Sequence, residues 1–572
     1  MTNIYFFDKI IMRIEGLKMQ KEVKVTYKEK VESGVLVGTT LKELSDRHTR
    51  DYKYDILISK VDNDIVELSD TITKKCNVEF YDRSSTLGHC VYSASANFIL
   101  ILAVRNVLGD SAKIIFQHSL DNGVFCQIEN VSITKSIVKK IEEEMQRIVS
   151  VNYKFEKYSV SRTDAMKYFS NRKEYDKVNV LKYISNTYIN LYRINDLYDY
   201  FYGKLAYSTG QIDDFKLTYI KGNSLVLSIP TIVNPDCTLD YVHHEKIAST
   251  FAQLEKVSKS LGLLHASDLN RVVSNAKTTE LILNAESYYD AQLQKTAEEI
   301  IKIGNIRLVL LAGPSSSGKT TTSKKLMNNL ICRGKKIVQI SVDNYFVDKE
   351  KTPKGPDGKY DFESLYAVDV KQFNEDLNKL MNGEKVQMPV YNFITGKREY
   401  KGNYVQLGEN DIMIVEGIHC LNDELTKSID RKYKYKIYIS PLVELNIDDH
   451  NHIHTTDIRK LRRIVRDSKT RGNGAFATLS MWSSIRKGEE NNIYPYQDDA
   501  DTVINSSLLY EIGVLKTYVE PLLFCVNEDE EVYPEALRLI NFLRNFLPIP
   551  SDDVPIDSVL REFIGGSCYK DL

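Results

Sequence analysis

A chain of 572 residues is too long for one ordinary hydrophobic core, and about three to four domains is the expectation. Its apolar share of 42% and charged share of 27% are those of a globular protein, which excludes collagen-like and low-complexity classes. A net charge of −2 excludes a whole-molecule attraction to nucleic acid or membrane, and eight cysteines without a C-x-x-C pair suggest neither a disulfide framework nor a thiolate zinc site.

The opening run IYFFDKIIMRIEGL is interrupted by Asp8, Lys9, Arg13 and Glu15, so it does not read as a signal-peptide core. On this reading no uncharged apolar stretch reaches the ~18 residues that span a bilayer, so a soluble, cytoplasmic protein with no membrane partner is expected. From residue 19 to 82, short β-rich runs (EVKVTY, VLVGTTLKELSDRH, DILISKVDNDIVELSD, NVEFYD) alternate with polar turns around one short helical stretch, which predicts a small α+β domain. Residues 83–267 open on a helical pattern, HCVYSASANFILILAVRNVL, and continue with strands (AKIIFQH, GVFCQIEN, SLVLSIP) and the charged helix KSIVKKIEEEMQRIVS, a second α+β domain. Residues 268–303 read as a helical connector. From 304 to 550, buried strands (RLVLLA, KIVQIS, DIMIVEGI, YKIYIS) alternate with helices, the α/β pattern of a doubly wound parallel sheet. Residues 551–572 are polar and read as a loosely docked tail.

The string GPSSSGKT at 313–320 fits G-x-x-x-x-G-K-[ST], a match that chance produces on the order of a few per cent of the time in a chain this long. Its context decides the matter, because a buried strand precedes it and a helix follows. Such a loop wraps its N–H groups around phosphates, with the helix N-terminus adding positive potential. Lys319 is placed to meet the β- and γ-phosphates of ATP, and the Thr320 hydroxyl to hold Mg²⁺. Two further strands end in acids, Asp343 and Glu416, and ligands in open α/β sheets bind beyond such strand ends. One acid can accept a proton while the other orients the metal or its water. LRRIVRDSKTRG adds Arg462, Arg463, Arg466 and Arg471, guanidinium groups suited to the spread charge of a transferring phosphoryl group.

The texts GPSSSGKTT, ISVDNYF, KYDF, MPVYNF, IVEGI, RRIVRD and DADTVINSS, in this order, resemble the uridine kinase and phosphoribulokinase family of P-loop kinases over most of residues 305–525. The resemblance implies ATP bound by Gly313, Pro314, Ser315, Ser316, Ser317, Gly318, Lys319, Thr320 and Thr321. It implies Asp343 as base, Glu416 near magnesium, and lid arginines Arg463, Arg466 and Arg471. Asp361 and Tyr391 match nucleoside-holding positions. Two departures concern the base: Gly396 and Lys397 stand where uridine kinases carry a histidine, and Asn473 stands where they carry a second arginine. Lys397 or Arg398 is the neighbouring group from which one contact could be restored.

The front half resembles the N-terminal region of threonyl-tRNA synthetases, with residues 19–82 similar to its small β-grasp (TGS) domain and the next block similar to its editing-type domain, clearest at GKLAYSTGQIDDFKL. Ser85, His89, Phe201 and Leu205 occupy the positions of that domain's metal ligands, and phenylalanine and leucine cannot ligate a metal. This arrangement resembles a bacterial class of composite nucleoside kinases. His450, His452 and His454 alternate but lie among Asp448, Asp449 and Asn451, as in a polar loop. Trp482 with Arg486 could flank a base, although a lone tryptophan is more often a packing residue.

The expected activity is ATP- and Mg²⁺-dependent phosphorylation of a nucleoside hydroxyl, with uridine or cytidine first. The rivals are a kinase for another sugar-bearing molecule such as a pentose phosphate, and an RNA- or ribosome-associated NTPase whose front domains bind tRNA. A retained Asp343 favours an acceptor kinase, since a switch needs no base for a sugar hydroxyl. The preferred base, the oligomeric state and the ligand of the front half, RNA or a small molecule, stay open at this level.

Overall fold

Thr40 begins the first helix among the described residues by a reciprocal cap: its hydroxyl accepts from Glu43 N at 3.1 Å while the Glu43 carboxylate accepts from Thr40 N at 3.2 Å. That helix, α1 (Leu41–Asp46), turns Leu41 and Leu44 into the core of a five-stranded sheet. The strands are β1 (Val25–Tyr27), β2 (Lys30–Glu32), β3 (Ile56–Val61), β4 (Asp64–Val66) and β5 (Cys76–Asp82), in the order β2-β1-β5-β3-β4. β1 and β5 run parallel, and the other neighbours are antiparallel. The computed structural model describes residues 22–120, 123–355, 358, 360–392 and 395–569; the opening run IYFFDKIIMRIEGL lies outside them.

Helix α2 (Thr86–Leu108) follows, capped by Ser85, which accepts from Gly88 N at 3.0 Å. Here the reading of apolar length needs correction, because α2 is long and apolar enough to cross a membrane by length and composition. Its apolar window is 78% buried, so the apolarity serves a protein core. Phe98, Ile99, Leu100 and Leu102 of α2 pack with Ile141, Met145 and Ile148 of α3 (Lys135–Val151). They share that core with β6 (Lys113–Leu120), β7 (Gly123–Glu129), β11 (Lys216–Tyr219) and β12 (Ser224–Ser228), an antiparallel sheet of order β11-β12-β7-β6. A three-stranded sheet of β8 (Glu156–Ser161), β9 (Tyr188–Ile194) and β10 (Leu197–Tyr200) completes the front.

The chain divides into two compact units. The first runs to Lys177, resumes over Ser185–Tyr241 and takes in Glu528–Arg538; the second comprises Val178–Ile184, Val242–Asn527 and the chain from Leu539. Within the first, Phe201 and Leu205 lie in the apolar core, 4% and 1% exposed, and the Phe201 ring sits 5.1 Å from that of Phe98. Both positions are therefore filled with hydrocarbon packed in that core.

The second unit is built on β13 (Leu308–Ala312), β14 (Ile337–Ser341), β17 (Ile412–Glu416), β18 (Lys434–Ser440) and β19 (Thr502–Asn505). Their order is β14-β17-β13-β18-β19 and every pairing is parallel. β13 and β18 are buried at every residue, as parallel strands covered on both faces should be. A hairpin of β15 (Val386–Asn392) and β16 (Lys397–Val405) stands apart from this sheet. Helix α4 (Thr278–Ile303), read from sequence as a connector, packs on this unit: Tyr289 and Thr322 share a hydroxyl hydrogen bond of 2.6 Å, and Tyr510 donates to Glu286 at 2.6 Å. The tail also differs from its expected looseness, since Val554, Val559, Leu560, Phe563 and Ile564 are all buried.

Candidate active site

Ala312 ends β13, and α5 (Lys319–Ile331) begins after six intervening residues, so that loop must turn sharply. Gly313 is required by space: a Cβ there would meet the Ile439 carbonyl oxygen at 2.1 Å. Gly318 is required twice, by a φ of +84° and by Val559, whose Cγ2 would lie 2.4 Å from an added Cβ. Helical bonding starts with Thr322 N donating to Gly318 O at 3.0 Å, so the N–H groups of Lys319, Thr320 and Thr321 have no intrahelical acceptor. These donors and the close-approach glycines make an anion cradle. The Lys319 ammonium turns back over the loop, donating to Gly313 O at 2.9 Å and Pro314 O at 3.2 Å.

The parallel register carries both acids to this loop. Glu416, the last residue of β17, pairs with Leu311 of β13 on one side and Ser341 of β14 on the other; Asp343 follows Ser341 by two residues. The Thr320 hydroxyl lies 3.5 Å from Glu416 Oε2. Asp343 is open to the cleft, yet enclosure by its walls raises the carboxyl above the ordinary value, with Lys319 and then Arg471 opposing. Glu416 is pushed up to about 7 by burial first and by Asp343 second, with Lys319 opposing. Two clustered carboxylates with one nearby ammonium leave negative charge to be balanced, which fits a divalent cation at Thr320 and Glu416.

Helix α7 (Thr455–Thr470) carries the arginines, and they divide into two classes. Arg462 is fully buried and structural: it donates to Glu511 at 2.7 Å, to Ser506 O at 2.7 Å and to the loop carbonyl of Ser316 at 3.3 Å. Arg459 does the same for Ser315 O at 2.9 Å and is ion-paired with the buried Glu489. Arg463, Arg466 and Arg471 instead crowd around one buried carboxylate, Asp467, at 3.1, 2.7 and 3.6 Å. Arg463 also donates to the Ser315 hydroxyl of the loop. Burial holds Arg463 and Arg471 below the ordinary guanidinium value; for Arg471 the next cause is Arg466, and for Arg463 the neighbours Arg466 and Arg471 act against Asp467. Three cations around one anion leave an excess of positive charge facing the phosphate loop.

Of the substrate-side candidates, Asp361 caps its own turn, accepting from Glu363 N at 3.1 Å. Tyr391 is buried on β15 with its ring 5.5 Å from that of Phe346. Arg398 of β16 is ion-paired with Asp369 at 3.0 Å, the cap of α6 (Val370–Met381). Gly396 holds a φ of +66° and packs against Lys349. Trp482, on α8 (Trp482–Asn492), is 8% exposed, with the Arg459 guanidinium 5.4 Å from its ring, so it packs the arginine helix. His452 and His454 stack edge to face in the loop between β18 and α7. Among the described residues no group of three or more His, Cys, Asp and Glu is placed to hold a metal ion unaided.

Two acids were not singled out from sequence. Glu363 is pushed up to about 7 by burial first and then by Glu489, with Arg463 and Lys319 opposing and Asp343 adding to the rise. Its stem lies against Gly488 of α8, where a Cβ would meet Glu363 Cβ at 2.6 Å. Glu562, from the tail, accepts from Thr321 N at 3.0 Å and Thr321 Oγ1 at 2.8 Å. No motif announces either; only the helical spacing of Val559, Leu560, Phe563 and Ile564 hints that the tail has a buried face.

The chain is similar to known proteins over part of its length. Residues 308–509 match the family described as Phosphoribulokinase / Uridine kinase family. A uridine kinase of Staphylococcus haemolyticus is 27% identical over 223 residues, covering 38% of this chain and 98% of that protein. A uridine kinase of Staphylococcus aureus is 26% identical over 218 residues, 38% of this chain and 96% of that protein. A solved structure described as a possible uridine kinase from Bacillus stearothermophilus is 18% identical, covers 38% of this chain and 98% of its own, and has a TM-score of 0.26. The strand order, the glycine-lined loop and the family match together identify residues 308–509 as a P-loop kinase domain of the phosphoribulokinase and uridine kinase family.

Proposed function

We propose that the protein transfers the γ-phosphoryl group of ATP to a sugar hydroxyl of a nucleoside, with uridine or cytidine the first candidates. The observation that carries this reading is the meeting of Asp343, Glu416, Thr320 and Lys319 at the carboxyl ends of β14, β17 and β13. ATP is held by the loop Gly313–Thr321, with Lys319 swinging from its own carbonyls to the β- and γ-phosphates. Asp343 accepts the hydroxyl proton as the sugar oxygen attacks phosphorus, and a carboxyl raised above its ordinary value is the better base. Arg463, Arg466 and Arg471 stabilise charge on the transferring group, and ADP leaves in line without a phosphoenzyme. Thr320 and Glu416 are the residues that would hold Mg²⁺, which would supply positive charge against the nucleotide's phosphates.

Asp361 and Tyr391 are assigned to the nucleoside, and Arg398 to the base only if its Asp369 pair opens. Loss of the family's histidine at Gly396 and of its arginine at Asn473 removes two groups that read a pyrimidine edge, so base discrimination should be shallow. For the front unit, the mixed sheet with parallel β1 and β5 supports the β-grasp reading, and the hydrocarbon at Phe201 and Leu205 supports a degenerate editing-type domain. The test is kcat/KM for uridine, cytidine, inosine, guanosine, adenosine and pentose phosphates under one set of conditions. A nucleoside preferred over pentose phosphates supports the assignment, and a uridine preference above ~10³-fold over purine nucleosides would overturn the argument from the missing side chains.

A further inference from the structure

The tail carries a short helix, α9 (Arg561–Ile564), that lies on the phosphate loop and not in solvent. Several contacts fix it there. Lys325 of α5 pairs with Asp557 at 2.9 Å, Val559 fills the space above Gly318, and the Arg462 guanidinium stands 4.9 Å from the Phe563 ring. Lys469 donates to Ile564 O. Within this anchor, Glu562 makes a different kind of contact. Its Oε2 takes both the N–H and the hydroxyl of Thr321, at 3.0 and 2.8 Å. That N–H is one of the three at the start of α5 left without an intrahelical acceptor, the donors of the cradle.

An anion therefore already sits at the rear of the anion site. A carboxylate and a phosphate oxygen seek the same donors, and two anions cannot share them without repulsion. We propose that Glu562 is an intrachain stand-in for a nucleotide phosphate, so that nucleotide binds by exchanging a phosphate for this carboxylate and the tail sets the affinity for nucleotide. This rests on the kinase reading above. The Lys319 ammonium, folded onto Gly313 O and Pro314 O, shows the front of the same loop satisfied from within as well. The exchange returns Glu562 to water and removes one of the contacts that fix α9, so the tail acts as a latch at one carboxylate. By linkage, a nucleotide that expels Glu562 loosens α9 as much as α9 weakens the nucleotide.

The test is calorimetric titration of the full chain with ATP, ADP and adenosine in Mg²⁺. Glu562→Gln keeps the shape and removes the charge; ATP and ADP should bind about tenfold more tightly, while adenosine, which has no phosphate, binds as to the wild type. Equal or weaker ATP binding by a folded Glu562→Gln protein overturns the proposal. Should that variant fail to fold, the wild type answers: saturating ATP should speed tryptic cleavage after Arg561 several-fold, and unchanged or slower cleavage overturns the latch. If the wild type binds no ATP at all, the kinase reading falls and this falls with it. ATP binding that ignores Glu562→Gln removes the latch alone.

Discussion

Asp343 and Lys319 hold opposite sides of the proposed transfer, and their loss should be told apart. Asp343→Asn keeps the shape but accepts no proton, so turnover should fall by ~10²–10⁴ while ATP affinity changes little. Lost ATP affinity with turnover spared at saturation would reassign the carboxylate to the metal. Lys319→Ala removes the cation that meets the β- and γ-phosphates, and phosphoryl transfer should vanish with the front unit still folded; near-normal turnover would exclude the phosphate-loop assignment. His419 shows the same electrostatics acting on stability. It is 1% exposed, three residues past Glu416, and burial lowers its imidazole from 6.5 to about 4. Between those values the unfolded chain binds the proton and the folded chain does not. Stability is therefore lost as pH falls through that window, by up to about 1.4 kcal/mol per pH unit. The difference in urea unfolding free energy between pH 7 and pH 5 should be smaller in His419→Leu than in the wild type. An equal difference would mean that His419 is protonated in the fold.

At the scale of elements, the strand, loop and helix around GPSSSGKT were legible because each has a local cause: five buried apolar residues, two glycines with no room or the wrong φ for a side chain, and a helix start. Gly313→Ala tests this directly. Its methyl would meet Ile439 O, so the loop must move, at a cost of about 2 kcal/mol or more in stability and with loss of ATP binding. Unchanged melting and ATP affinity would show that the loop has room to spare. The strand ends at Asp343 and Glu416 were legible for the same local reason. What could not be read is proximity across long stretches of chain. Arg462 lies in the same basic run as Arg463, and only the fold separates a buried strut to Glu511 from a group facing the loop. Glu363 and Glu562 carry no pattern of their own, since a carboxylate in a polar stretch acquires its role from what folds against it. Helix α2 is legible as helical from His89, but it begins three residues earlier at Thr86, because Ser85 caps it there by accepting from Gly88 N.

At the scale of the whole molecule, the front unit is predicted to be metal-free. Phe201 and Leu205 are core residues, so metal analysis of the purified chain should find no stoichiometric zinc, and no mischarged tRNA should be hydrolysed. About one zinc per chain, lost in His89→Ala, would contradict this. The division of the chain has a further consequence, for synthesis. The unit that begins first includes Glu528–Arg538, where Glu528 accepts from Asn63 at 2.7 Å. A ribosome emitting about 5–20 residues per second delivers that segment only after nearly all of the other unit, a delay on the order of tens of seconds. Through that interval the earliest-made sheets wait for their last piece, exposed to chaperones and proteases. Nascent chains arrested shortly after Tyr241 should be digested faster in the front unit than chains released in full, and equal resistance would mean that the late segment only decorates a unit already complete.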